Sequence, residues 1–185
     1  MNTLTKNDMN AALAKVPEVT LAFWLVKICA TTLGETGGDA VSMSMNLGYL
    51  VATGIFAAFF LLAVAAQIRV KPYHPALYWA TIIASTSVGT TLADFFDRSL
   101  GIGYAGGSSI LLALLLASLW IWRRSTGTIA VDSVASPRTE LFYWTTILFS
   151  QTLGTALGDW TADTAGLGYT GGALVFSGLL ARVGL

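Results

Sequence analysis

Carboxyl side chains recur at a regular place in three stretches of this chain. Each stretch has a glycine, an aspartate five residues later, and a Gly-Tyr pair nine residues after the aspartate. The three copies are Gly34–Asp39–Gly48-Tyr49, Gly89–Asp94–Gly103-Tyr104 and Gly154–Asp159–Gly168-Tyr169. The first copy carries a further acid, Glu35. Carboxylate oxygens are ligands that Mg²⁺, Ca²⁺ and Mn²⁺ prefer. The candidate metal ligands are therefore Glu35, Asp39, Asp94 and Asp159.

Other polar residues lie near these acids in the sequence. The predicted polar or transport cluster consists of Lys27, Thr31, Thr32, Glu35, Asp39, Asp94, Thr152 and Asp159. Lys27 is the internal counter-charge, and the other two copies have isoleucine at its position. Lys27 lies two helical turns from Glu35, about 12 Å at 1.5 Å per residue. We therefore expect its partner to come from another repeat.

The elements that must position these residues are membrane-spanning helices. The chain is 55% hydrophobic and 11% charged, whereas soluble domains carry about 25% charged residues. Its apolar runs are long enough to span hydrocarbon, which takes about 20 residues per helix. In hydrocarbon, a single segment can satisfy its backbone only as a helix. The predicted segments run from Glu18 to Val41, Leu47 to Ile68, Pro75 to Phe96, Ile102 to Trp122, Arg138 to Ala162 and Leu167 to the C-terminus.

These segments form three helical-hairpin repeats, with periods of 55 and 65 residues between the repeated glycines. The predicted divisions are a cytoplasmic segment 1–16, repeat 1 at 17–70, repeat 2 at 71–124, a cytoplasmic linker 125–136 and repeat 3 at 137–185. Short loops predict that the two helices of each repeat lie antiparallel and adjacent. The fold class is thus an all-α integral membrane protein with six transmembrane helices.

Residues that begin or end helices recur at equivalent positions of the repeats. A proline precedes each odd-numbered segment, at Pro17, Pro75 and Pro137, and proline suits the first helical turn. Asn46, Gly101 and Gly166 occupy one slot, two residues before the glycine of Gly-Tyr. Because Gly and Asn tolerate a left-handed backbone, this slot should close each odd helix with a left-handed cap.

Two crossings per repeat predict that all three repeats insert in the same orientation, as parallel repeats do. Positive residues concentrate on one predicted side: Lys6, Lys15, Arg69, Lys71, Arg123, Arg124, Arg138 and Arg182, against Arg98 on the other. The positive-inside rule makes the first side, with the N-terminus, cytoplasmic. The expected location is a bacterial inner membrane.

Small residues predict close contacts between helices. They stand four residues apart beside each motif aspartate: Gly34 and Gly38, Gly89 and Ala93, Gly154 and Gly158. Such pairs allow backbones to approach closely in membranes. Asp39, Asp94 and Asp159 should then form a ring facing inward, since each is costly against lipid. The pairs Phe23-Trp24, Tyr78-Trp79 and Tyr143-Trp144 are interpreted as interface anchors.

The chain resembles a family of bacterial multi-pass membrane proteins, known as conserved membrane-anchored proteins of unknown function. The residues that carry the resemblance are Lys15-Val16-Pro17-Glu18-Val19-Thr20, Lys27, Thr31-Thr32-Leu33-Gly34-Glu35-Thr36 and the copies Gly89–Asp94 and Gly154–Asp159. The resemblance implies a membrane fold, and family members have a further Gly-to-Asp hairpin. A weaker likeness links Glu35 and Asp39 to cation exporters with a Glu-x-Gly-Asp motif.

Two functions fit these residues. The first is a cation or proton permease that uses the ring of carboxylates, and the alternative is a structural or assembly protein whose polar residues specify helix packing. The expected partners are the lipid bilayer, a small cation and a second copy of the chain, and the expected cofactor is at most a divalent cation. The zero net charge argues against nucleic acid. An enzyme is not expected, because His74 falls on the side opposite the acids and Cys29 stands alone.

Overall fold

The computed structural model describes residues 15–184, which form six long helices and no strand. The helices are α1 (Leu21–Asp39), α2 (Tyr49–Arg69), α3 (Pro75–Asp94), α4 (Gly103–Thr126), α5 (Pro137–Asp159) and α6 (Gly168–Gly184). A single 3₁₀ turn, Val131–Ser133, lies in the linker between α4 and α5. The predicted all-helical class with six helices is confirmed.

The starts of the odd helices follow their caps. Pro75 and Pro137 occupy the first turns of α3 and α5, as predicted. The prediction is wrong for Pro17, because α1 begins at Leu21. There the Thr20 hydroxyl accepts a hydrogen bond from the Phe23 amide at 3.2 Å, and threonine is a good N-cap. The preceding residues 15–20 are not helical, and we call this segment the strap.

Each odd helix ends in a five-residue π turn. These turns are Ala40–Ser44, Phe95–Ser99 and Trp160–Thr164, so the odd helices reach further than the predicted ends at Val41, Phe96 and Ala162. Immediately after them, Asn46, Gly101 and Gly166 have φ angles of 59°, 69° and 70°. The predicted left-handed caps are therefore confirmed in all three repeats.

The main contacts between helices join different repeats rather than the two helices of one repeat. The odd helices form a row, with α1 on α3 and α3 on α5. Each even helix leans on the odd helix of the next repeat, α2 on α3 and α4 on α5, and hairpin partners meet mainly at their turns. The prediction that the helices of a repeat lie side by side is therefore wrong.

The main hydrophobic core lies at the end of the bundle where α3 and α5 begin. We call this the Tyr end, after the buried Tyr78 and Tyr143, and the opposite end, with the motif aspartates, the Asp end. Tyr78, Tyr143 and Trp144 are buried among Phe60, Val64 and Ile82. Their predicted role as interface anchors is thus wrong, because they point toward other helices.

Two of the described helices, α2 and α4, are long and apolar enough to cross a membrane, with mean hydropathies of 2.3 and 1.8 in their most apolar windows. The odd helices are less apolar because one face of each carries polar residues. That face positions the candidate site.

Candidate functional site

The polar face of each odd helix is a stripe with a period of four residues. Counted from the repeated glycine, it occupies positions −3, +1, +5 and +9, which lie on one side of a helix. The four levels are Thr31, Thr86 and Gln151; Glu35, Thr90 and Thr155; Asp39, Asp94 and Asp159; and Met43, Arg98 and Asp163. At each of the first three levels, equivalent residues of different repeats come together in the structure.

A cavity of about 420 Å³ opens at the Asp end between α1, α3, α5 and α6. All four predicted acids line it: Glu35, Asp39, Asp94 and Asp159. The walls add Thr36, Thr90 and Thr155, and the apolar side chains of Met43 and Phe176. The structure thus brings the predicted carboxyl groups from all three repeats to one place.

Arg98 supplies the positive charge in this cavity. Its Nε lies 2.8 Å from Oδ1 of Asp94, and its Nη2 lies 3.5 Å from Oδ2 of Asp159. The guanidinium therefore bridges two repeats at the level of the acids. Asp39 has no hydrogen bond or ion pair within residues 15–184, and Glu35 accepts one weak hydrogen bond, from Thr155 at 3.4 Å. Four carboxyl groups consequently face one guanidinium.

The arrangement is not a ready-made metal centre. Among the residues that the structure describes, no three histidine, cysteine, aspartate or glutamate side chains lie close enough to share a metal ion. Direct ligation of a metal ion by Glu35, Asp39, Asp94 and Asp159 therefore stays a prediction. The carboxyl groups line a wide cavity, and the Arg98 guanidinium stands between two of them.

A second polar group lies deeper in the bundle, one level closer to the Tyr end. Lys27 donates to Oε1 of Gln151 at 2.8 Å, and Thr86 donates to the same oxygen at 2.5 Å. The Gln151 amide nitrogen donates to the Ser85 hydroxyl. Lys27 thus has a partner from another repeat, as its distance from Glu35 predicted, but that partner is an amide rather than an acid.

The Tyr end of the stripe is closed. The hydroxyls of Tyr78 and Tyr143, at equivalent positions of repeats 2 and 3, are 2.6 Å apart. Both side chains are buried, and Ile82 is buried one turn further toward the Asp end. The buried tyrosine pair and Ile82 therefore separate the cavity from the Tyr end.

We call the line of contact between two odd helices a seam: the first seam joins α1 and α3, and the second joins α3 and α5. Small residues allow close packing in both. In the first seam, a Cβ placed on Gly34 would lie 2.7 Å from Cβ of Thr86, and Ser87 donates to the Gly34 carbonyl at 2.8 Å. In the second seam, a Cβ on Gly89 would lie 3.0 Å from the Thr152 amide nitrogen. These contacts agree with the close approach predicted for Gly34 and Gly89.

The third seam, between α5 and α1, is open. Nothing lies within 4 Å of a Cβ placed on Gly154 or Gly158, so the packing predicted for this pair is absent. Gly158 of α5 and Thr36 of α1 instead both line the cavity. Side-chain hydrogen bonds from Lys27 to Gln151 and from Thr155 to Glu35 bridge the gap.

Three of the predicted cluster residues stay outside the site. Thr31 and Thr152 return their hydrogen bonds to carbonyls of their own helices, and Thr32 is exposed. Asp97 is buried, and its Oδ1, which lies against Gly107, has no hydrogen-bond partner within residues 15–184.

Sequence reasoning missed several residues that the structure brings into play. Arg98 and Gln151 lie on the four-residue stripe. Extending the repeat alignment forward to position +9 would have found Arg98, and extending it back to position −3 would have found Gln151. Glu140 was missed as well, and it forms a buried ion pair with Lys15 at 2.7 Å. No repeat marks Glu140, so the sequence carried no comparable signal.

The fold and site define an all-helical protein built from three interlocking helical hairpins. Its sequence matches the family described as Repeat of Unknown Function (DUF347) over residues 22–73, 77–128 and 142–185. The chain belongs to this family. The matches begin 55 and then 65 residues apart, which are the periods of the Gly-to-Asp motif. No curated protein and no solved structure matches the chain.

Proposed function

We propose that this protein is a multi-pass membrane protein and a permease for a cation or protons, with its binding site in the cavity at the Asp end. The observation that carries the proposal is the charge of that cavity. Four carboxyl groups contributed by three repeats surround about 420 Å³ and share the single guanidinium of Arg98. Intramembrane acids are costly and commonly mark ion or proton pathways.

The exposure of the apolar helices supports the membrane part of the proposal. Only 17% of the apolar window in α2, and 28% of that in α4, is buried. A buried core helix of a soluble protein would show the opposite. Large side chains such as Leu62 of α2 and Leu116 of α4 are more than half exposed, while the stripe residues Thr86, Thr90 and Asp94 of α3 are buried. Lipid is the solvent that this pattern fits.

The same proposal extends to topology. The basic residues at the ends of α2 and α4, Arg69, Arg123 and Arg124, lie at the Tyr end, together with the linkers that follow them. By the positive-inside rule, the Tyr end and the N-terminus are cytoplasmic, and the Asp end faces outward from a bacterial inner membrane.

The size of the cavity indicates which cations it suits. A water molecule occupies about 30 Å³ of liquid, so the space is far larger than a dehydrated ion. Because the acids do not converge on one point, they suit a cation that keeps part of its hydration shell or an organic ammonium or guanidinium ion. The apolar walls at Met43 and Phe176 fit the body of such an organic ion.

Asp39→Asn is the sharpest test, because Asp39 has no partner within residues 15–184 and its substitution breaks no observed bond. The matched control is Asp132→Asn, an exposed acid in the linker. In proteoliposomes, the uptake of Na⁺, guanidinium, Mg²⁺ and protons would be compared. We expect Asp39→Asn to lower the flux of the transported species at least about tenfold, equivalent to ~1.4 kcal/mol, and Asp39→Asn with Asp94→Asn to abolish it. Equal flux in all variants would refute the proposal.

A second function, that of a structural or assembly protein, is favoured by the polar bonds that already join the repeats. Ser87 binds the Gly34 carbonyl, and Lys27 binds Gln151, so part of the polar network is used for packing. In this case the acid substitutions would lower the yield of folded protein in detergent. The wild-type protein would show no thermal shift with any of the four cations.

A further inference from the structure

Equivalent surfaces of the odd helices pack together in the first and second seams but not in the third. In the first seam, Gly38 packs on Thr91 of α3, where a Cβ on Gly38 would lie 3.3 Å from the threonine methyl. The residues equivalent to this pair in the third seam are Gly158 of α5 and Thr36 of α1. Both line the cavity, and Gly158 has nothing within 4 Å of its Cβ position.

The even helix beside the third seam, α6, also lacks a contact that the other even helices make. The even helices α2 and α4 pack along α3 and α5, whereas α6 contacts mainly the π turn that precedes it. Ala173 and Phe176 of α6 line the same cavity as Glu35, Thr36 and Asp39 of α1. By equivalence with α2 on α3, the surface that α6 lacks is the cavity side of α1.

Charge explains why this seam stays apart. The titratable groups that face the cavity are Glu35, Asp39, Asp94, Arg98, Asp159 and Tyr169. Moving α1 onto α5 would bring Glu35 and Asp39 toward Asp159. Because like charges repel strongly at short distance in a medium of low dielectric constant, closure needs added positive charge or protons. The first seam has no such acids at its contact, since Gly38 meets threonines.

We infer that the third seam is a gate: α1 closes onto α5 and α6 when the charge of the cavity is neutralised, and Gly158 then seats on Thr36 as Gly38 seats on Thr91. The gate occludes the cavity from the Asp end. Lys27 and Gln151 act as the tether on which α1 pivots, since their hydrogen bond already joins the two helices nearer the Tyr end. The inference rests on the proposed function in one respect, that a bound cation is the natural source of the neutralising charge.

Disulfide trapping tests the gate without any knowledge of the ligand. In a Cys29→Ser background, Gly158→Cys with Thr36→Cys reports on the third seam. A disulfide needs Cβ atoms about 3.5–4.5 Å apart, which the open seam does not provide. Both positions line open space, so neither cysteine meets a clash. The matched control is Gly38→Cys with Thr91→Cys, at the equivalent positions of the closed first seam.

The charge is then removed from α1 by Glu35→Gln with Asp39→Asn, neither of which is paired with Arg98. We expect cross-linking of the third seam to become about tenfold faster, the effect of ~1.4 kcal/mol on an open–closed equilibrium. Cross-linking of the first seam should not change. An unchanged rate at the third seam would overturn the gate, whatever the protein transports.

A distance measurement between α1 and α6 excludes altered cysteine reactivity as the cause of faster cross-linking. Spin labels on Leu33 of α1 and Leu174 of α6, both exposed, should move closer together in the Glu35→Gln, Asp39→Asn protein. Millimolar guanidinium chloride is the ligand probe for the wild-type acids. If the neutral variant closes and neither guanidinium, Na⁺ nor Mg²⁺ closes the native protein, the gate stands and the proposed cation permease is contradicted. If neither charge removal nor cations shorten the distance, the gate is refuted.

Discussion

Lys15 and Glu140 form a buried ion pair across 125 residues of sequence. The Lys15 ammonium lies 2.7 Å from Oε1 of Glu140 and 2.7 Å from the Gln67 carbonyl. Lys15 is 7% exposed and Glu140 is 2% exposed. The backbone amide of Lys15 also donates to the Val134 carbonyl at 3.2 Å. The strap before α1 is therefore fastened to the end of α2 and the start of α5 at the Tyr end.

Removing one partner of this pair should destabilise the protein strongly. Glu140→Gln or Lys15→Met leaves the other charge buried without compensation, which typically costs about 3–5 kcal/mol. The measurement is thermal unfolding of the purified protein in detergent. The exposed Glu18, three residues along the strap, provides the control substitution Glu18→Gln, for which little change is expected. Lys15→Met with Glu140→Leu should recover much of the loss, and a double variant as unstable as the single ones would show that the charge pair is not the cause.

Equivalent glycines should respond oppositely to the same substitution. In Gly34→Ala, the new methyl group would lie 2.7 Å from Thr86 Cβ and 2.8 Å from the Ile83 carbonyl oxygen. Overpacking of this kind costs about 1–3 kcal/mol and outweighs the gain of up to ~1 kcal/mol from alanine in a helix. Gly154→Ala meets nothing within 4 Å and should stabilise the protein slightly. Unfolding temperatures of the two variants decide the point, and a loss of stability in both would mean that the third seam is packed in solution.

Arg98 should compete with any cation that enters the cavity. In Arg98→Gln, Asp94 and Asp159 lose their shared guanidinium, so the protein should be less stable without a ligand and bind its cation more tightly. We expect about a tenfold decrease in Kd, or ~1.4 kcal/mol, measured as a cation-dependent thermal shift. The control is Arg182→Gln, an exposed arginine near the end of α6. Weaker cation binding in Arg98→Gln would show that Arg98 helps to hold the ligand rather than to replace it.

Much of the fold could be predicted because its signals are local. Asn46, Gly101 and Gly166 mark left-handed caps, since few other residues accept that backbone, and all three adopt it. Pro75 and Pro137 mark helix starts for an equally local reason. The same rule failed at Pro17 because a better cap, Thr20, lies three residues further along. No residue pattern in the repeats predicted the π turns.

The sequence predicted the common level of the acids in the candidate site but not the open third seam. Repetition placed Asp39, Asp94 and Asp159 at one level, and the structure brings all three to one cavity. Repetition also predicted three equal seams, whereas the third is open. A repeat predicts equal contacts only where each copy has a neighbour in the same position, and the copies at the two ends of a row do not.

The sequence by itself determined the elements of this protein: six helices, three repeats, their turns and the shared level of the motif acids. Those features follow from backbone preferences and from a periodicity that a single chain displays in full. Only the tertiary structure decided that Arg98 compensates Asp94 and Asp159, that Lys27 meets Gln151, that Lys15 meets Glu140, and that α2 leans on the next repeat. Such partnerships depend on how far each helix is rotated and tilted against its neighbours, which is set by the packing of many side chains at once.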